Sequence, residues 1–342
     1  MLDDLKYIHQ RDGQDALGVA ERQASQLEHE FETPKIDGQF ENIVFAAMGG
    51  SALPAILSRT WPGYNLSFEV CRQYHVPAYV GPKTLFVASS YSGNTEETLS
   101  ALSEAEDKGA VIAIIAGGGQ LEAIALAKNY HFLKIPKAEQ PRYAVLYMLG
   151  AHLAILEEAG LLNEQDTSRQ LTEASQFLKQ SVKDWVATVP AAKNPAKQLA
   201  MEMAGSSPVI YAGPLMAPAA YKWKINFNEN AKNVAWWGEY PEFNHNEFIG
   251  WSSHPIQKPY KIIDLRSNLE HPRVQQRFEL SDRLLSGKRP AAHVVQAQGE
   301  TLLEQLLWTV AFGDFVTIYL GLCNGVNPAP VELVEKFKKE LG

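Results

Sequence analysis

The sequence predicts an α/β protein of two doubly wound domains, each built on a mainly parallel sheet with helices on both faces. Three observations predict this fold class. Short apolar runs rich in β-branched residues alternate with helical periodicity, glycine-bearing turns follow several of those runs, and the second half of the chain repeats the plan of the first. At 342 residues the chain is long enough for two domains of ordinary size, each with its own core.

Taken in order, residues 14–31 carry one apolar stripe (Ala16, Leu17, Val19, Ala20, Ala24, Leu27) and predict a leading helix. Residues 42–47 predict a buried strand that turns through Gly49 and Gly50 into a helix. Further strands are expected at 66–70, 85–88, 111–116 and 133–136, with a helix at 96–108, a third glycine turn at 117–119 and a long apolar helix from 140 to about 159. The polar stretch 163–170 reads as a linker, giving domains 1–162 and 171–342. In the second half, strands are expected at 207–213, 260–265 and 292–297, then a mostly apolar helix at 302–322 and a basic amphipathic helix at 331–341.

Composition narrows the function. Hydrophobic content of 46% and charged content of 20% belong to a globular chain rather than a disordered one. A net charge of −8 argues against general nucleic-acid binding, so any anion site must be small and focused. Cys71 and Cys323 lack a partner pattern and read as small buried residues of a reducing compartment. There is no apolar leader and no run of about 18 apolar residues, which points to a cytoplasmic protein without a membrane partner.

The stretch 88–98 carries the clearest chemistry. An apolar strand runs into Ser90, Ser92, Gly93 and Thr95, followed by Glu96, Glu97 and an apolar helical face. A helix start leaves backbone N–H groups unpaired and partly positive, three hydroxyls add donors, and Gly93 lets the backbone approach a ligand. An anion cradle and an ordinary serine-capped loop both fit this segment by itself. In a doubly wound sheet ligands bind outside the carboxyl ends of strands, where Gly49, Gly50 and Ser51 also fall. None of the three glycine turns has the G-x-G-x-x-G spacing, so no nicotinamide cofactor is expected.

Residues 224–232 and 234–247 crowd asparagines around Glu229, with His245 sixteen positions later. Such packing would orient and desolvate Glu229 toward the range of a general base; the alternative is a solvated, capping-rich loop. Arg142, after Pro141, is either a charged clamp or a surface arginine. His245 with Glu247 or His254 lacks H-E-x-x-H spacing, so no metal is expected, and no G-x-S-x-G elbow supports a serine hydrolase.

Residues 48–52 with 89–98 resemble the sugar isomerase (SIS) domain, a doubly wound αβα fold that holds phosphosugars. Residues 228–232 and 241–251 resemble the bifunctional phosphoglucose/phosphomannose isomerases, and the resemblance extends over essentially the whole chain, including 334–341. It implies an aldose–ketose isomerase, without metal or cofactor, that interconverts glucose 6-phosphate and mannose 6-phosphate with fructose 6-phosphate. Ser51, Ser90, Ser92 and Thr95 would hold the phosphate, with Gly49 and Gly50 beside the sugar. Glu229 would be the base, Arg142 would stabilise the enediolate, and His245 and Lys338 would assist ring opening. The resemblance also implies a homodimer in which His245 crosses the interface. A non-catalytic phosphosugar sensor is the alternative, although it would need neither Glu229 nor His245.

Overall fold

The computed structural model describes residues 1–32, 34–138, 140–162, 164–252 and 259–341. The chain divides into two compact units, Arg22–Gln176 and a second made of Met1–Glu21 with Phe177–Gly342.

The unit Arg22–Gln176 holds five strands, β1 (Asn42–Ala46), β2 (Ser67–Cys71), β3 (Thr84–Ser90), β4 (Val111–Ala116) and β5 (His131–Lys134). They form one parallel sheet in the order β2-β1-β3-β4-β5. All seven residues of β3 are buried, as a central strand covered on both faces requires. Alternate side chains of the strands supply two separate cores. Ile43, Phe45, Leu85 and Val87 pack with Met148, Ala151 and Ile155 of helix Val145–Glu158. Val44, Phe86, Ala88 and Ile114 pack with Ala101, Leu102 and Ala105 of helix Glu96–Asp107 and with Leu121.

The other unit holds β6 (Ser207–Ala212), β7 (Trp236–Glu239), β8 (Tyr260–Arg266) and β9 (Ala292–Gln296), again parallel, in the order β7-β6-β8-β9. Sequence reading missed β7. It is an edge strand of four residues with Trp236 and Trp237 exposed, so neither a buried run nor a clean alternation marks it.

Two other expectations are corrected. The leading helix over 14–31 is a helix at Ala16–Arg22 followed by a 3-10 turn at Gln23–Glu28, after a separate short helix at Leu5–Arg11. Asp12 separates the two helices by accepting from the N–H groups of Ala16 and Leu17. Of the stretch read as a linker, 164–170 lies in helix Glu164–Ser181, where Arg169 bridges Asp166 and Glu173 at helical spacing, and Asn163 lies outside the described residues. The two compact units part within that helix, after Gln176.

The apolar helix expected at 302–322 is Leu302–Cys323. Gln305, Thr309, Asp314 and Thr317 interrupt its apolar run, yet an 18-residue window keeps a mean hydropathy of 1.7, long and apolar enough to cross a membrane. That window is 89% buried in the protein, as in a core helix. A capping box of Thr301 and Glu304 starts it.

Candidate active site

In the first sheet the chain leaves β1 and β3 toward opposite sides, so the switch point lies between their carboxyl ends. The turn after β1 opens helix Gly49–Ser58, and the turn after β3 opens helix Glu96–Asp107. A hydrogen bond from Tyr91 N to Ser51 Oγ (3.0 Å) joins the two turns. Within the second turn, Ser90 Oγ lies 2.7 Å from Thr95 Oγ1 and 3.3 Å from Ser92 Oγ, and Gly93 N donates to Ser90 Oγ. Thr95 occupies the N-cap position, yet its side chain makes no capping hydrogen bond to this helix start.

The third glycine turn backs this loop. Leu121 N donates to Gly93 O, Gly117 N to Tyr91 O and Gln120 N to Asn94 Oδ1. Only glycine fits at position 93, because its φ is +69° and a Cβ there would lie 1.7 Å from Gly118 O.

Arg142 belongs to the same unit, in the 3-10 turn Pro141–Tyr143. It is not a surface arginine: its relative exposure is 1%, and its guanidinium carbon stands 4.6 Å from the centre of the Tyr143 ring. A Cβ on Gly50 would come within 3.0 Å of Arg142 N, so the glycine brings the β1 turn against the arginine backbone. Gly49, Gly50, Ser51, Ser90, Ser92, Thr95 and Arg142 thus belong to three connected turns of one unit.

Glu229, Lys338 and His245 belong to the other unit. Glu229 is half-buried and ends helix Ala217–Glu229. The side-chain amides of the three nearest asparagines donate elsewhere, contrary to expectation. Asn226 donates to Asp314, Asn230 to Thr317 Oγ1 and Asn228 to Asn233 O, because helical spacing turns 226 and 230 inward. Asn233 Nδ2 in turn donates to Ser206 O, immediately before β6. Since this helix is the crossover between parallel strands β6 and β7, its last residue lies at the amino edge of the sheet.

His245 follows β7 in the 3-10 turn Glu242–His245, at the opposite, carboxyl edge, and is exposed. The residues around it are held: Asn244 donates to Ser281 Oγ and accepts from Arg277, and Tyr211 donates to Glu247. The six residues of β6 alone span roughly 20 Å, so Glu229 and His245 of one chain are kept well apart. Lys338 is exposed on helix Glu332–Leu341 and pairs with Glu335 at 2.9 Å. That helix is balanced rather than basic, with Glu332, Glu335 and Glu340 against Lys336, Lys338 and Lys339.

With this arrangement in view, relatives are informative. The bifunctional phosphoglucose/phosphomannose isomerase of Aquifex aeolicus is 30% identical over 305 residues, which cover 88% of this chain and 91% of that protein. The chain belongs to the bifunctional phosphoglucose/phosphomannose isomerase family. The family member from Caldicellulosiruptor bescii is 32% identical over 305 residues, covering 88% and 89%. The model of the bacterial phospho-glucose isomerase C-terminal SIS domain matches residues 192–341. In fold, the chain resembles a glucose-6-phosphate isomerase like protein from Thermus thermophilus, with a TM-score of 0.66 at 18% identity over 97% of this chain and 99% of that one.

This member of the phosphoglucose/phosphomannose isomerase family also has a carboxylate that sequence reading missed. Glu270 follows β8 at the second sheet's own switch point, between β6 and β8. It is 4% exposed and accepts from the N–H groups of Leu215 and Met216, at the start of helix Ala217–Glu229. Burial pushes its carboxyl up to about 7, against the pull of those two N–H groups. The only signal in the sequence is an acidic residue four positions past a strand end. Among the described residues no three His, Cys, Asp or Glu side chains gather to hold a metal ion; His254 lies outside the described residues.

Proposed function

We propose that this chain interconverts glucose 6-phosphate and mannose 6-phosphate with fructose 6-phosphate, by proton transfer through a cis-enediolate and without a metal. The two aldoses differ only at C2, and removing the C2 proton erases that difference, so one base serves both. The observation that carries the reading is the joined pair of turns at the first switch point. There Ser51, Ser90 and Thr95 present hydroxyls beside an uncapped helix start, which suits a dianionic phosphate. Ser92 completes the phosphate set, and the Gly49 and Gly50 backbone faces the sugar.

Glu229 is the base that carries the proton between C2 and C1, and the buried guanidinium of Arg142 stabilises the enediolate oxygens. His245 and Lys338 donate and accept protons at the ring oxygen and O1 during ring opening. The placement of His245 and Glu229 at opposite edges of one sheet supports a homodimer in which each site takes its histidine from the second copy. Cys71 and Cys323 are free thiols, which fits the reducing cytoplasm.

A coupled assay on both aldose phosphates, with and without a chelator, tests this reading. Turnover of both at rates the chelator leaves unchanged is expected. Binding without turnover would make the chain a sensor, and loss of rate with chelator would overturn the metal-free mechanism.

A further inference from the structure

Helices Ala217–Glu229 and Leu302–Cys323 meet through a buried polar seam. Lys222, Asn226 and Asn230 recur every fourth residue and so share one helix face. The Lys222 ammonium and the Asn226 amide both donate to Asp314 Oδ1, and the Lys222 and Asp314 side chains are 0% and 2% exposed. One turn further, Asn230 Nδ2 donates to Thr317 Oγ1 at 3.0 Å, and that hydroxyl lies within hydrogen-bonding distance of Asp314 O. The seam ends where the backbones touch. A Cβ on Gly321 would lie 2.5 Å from Asn230 O, and Asn324 Nδ2 donates to Ala231 O at 3.0 Å.

Stability alone is a poor reason for such a seam. Taking both members of an ion pair out of water costs about as much as their attraction returns, and apolar side chains of similar volume often hold a core as well or better. A directional seam does what an apolar one cannot, because a small slide or rotation of either helix breaks several bonds together. The residue at the end of the seam, next to Asn230, is Glu229.

We propose that Asp314 is a positioning residue, which through Lys222 and Asn226, beside the Asn230–Thr317 pair, fixes the rotation and axial setting of the helix that ends in Glu229. The inference rests on the reading of Glu229 as the base. A carboxylate must lie over C1 and C2 within a few tenths of an ångström, and a displacement of about 1 Å costs on the order of 100-fold in rate.

The test replaces the pair by apolar residues, Lys222→Met together with Asp314→Leu, and measures melting temperature, KM for fructose 6-phosphate and kcat. The expected result is a melting temperature equal to or above that of the unaltered protein, KM within about threefold, and kcat lower by roughly 10- to 100-fold. A purely structural seam would leave kcat intact in a protein that melts as high, and that outcome overturns the proposal. If the double variant does not fold, Asn226→Leu carries the same test, since it removes one donor and keeps the ion pair. Unchanged kcat in that variant overturns the proposal equally. Glu229→Gln, assayed in parallel, separates the two levels. An active Glu229→Gln enzyme removes the base reading and this inference with it. An inactive one beside a fully active seam variant removes the inference alone.

Discussion

The hydroxyl oxygens of Ser90 and Thr95 lie 2.7 Å apart, bridging the end of β3 and the first turn of the helix that follows. One of them gives its proton to the other, so the pair acts as a unit toward any anion. Thr95→Val keeps the shape of the side chain and removes the hydroxyl. It should raise KM for fructose 6-phosphate by about tenfold, the worth of one hydrogen bond to a charged group, with kcat and melting temperature little changed. An unchanged KM would remove Thr95 from the phosphate site.

Gly93 is a stricter position. Alanine there must hold φ at +69° and push Gly118 away, so the loop of Ser90 and the turn at 117–119 have to part. Gly93→Ala should cost roughly 2 kcal/mol or more of stability in denaturant titration and weaken substrate binding in the same protein. Retention of both would show that the two turns do not depend on each other.

Glu229→Gln keeps the size of the proposed base and removes its proton affinity. We expect kcat to fall by about 10³-fold, within the range general base catalysis contributes, while fructose 6-phosphate still binds in calorimetry. Mixing this protein with inactive His245→Ala then tests the shared site. Random exchange of equal amounts makes half the dimers mixed, each with one intact site, so about a quarter of full activity should return. No recovery after demonstrated exchange would place both residues in one chain's site or remove one of them.

Glu270 makes a prediction about pH. Its carboxyl titrates at about 7 in the folded protein against 4.5 ordinarily, so the folded state holds a proton that the unfolded state releases earlier. Its contribution to stability is therefore complete below about pH 4.5 and is lost as pH rises through 7. Glu270→Gln should be more stable than the unaltered protein above pH 7 and indistinguishable from it near pH 4.5. A stability difference that does not vary with pH would mean that Glu270 titrates normally.

Much of the first sheet was legible because its strands are continuous apolar runs, each ending in a glycine or serine turn whose chemistry is local. The loop at 90–95 was readable for the same reason, since its partners lie within a few residues. The second sheet was harder. Trp236 and Trp237 sit on an exposed edge and give no periodic signal. The asparagines near Glu229 were misassigned because their true partners, Asp314 and Thr317, stand almost ninety residues downstream. The burial of Arg142 depends on tertiary packing that no local pattern encodes. Sixteen positions of sequence also conceal that the chain crosses the whole sheet between Glu229 and His245.

The carboxylate of Glu270 has a consequence for how the two sheets can change over time. Under the proposed function the turns at the first switch point must satisfy a substrate as well as a fold, so substitutions there are screened twice. At the second, between β6 and β8, the chain's own buried carboxyl takes the N–H groups of the turn, and Glu229 stands on the far edge. Turns 213–216 and 267–270 are tied to each other through Glu270. A loop grafted there would have to keep this buried carboxyl and its two N–H partners, so the second switch point is closed by the chain itself.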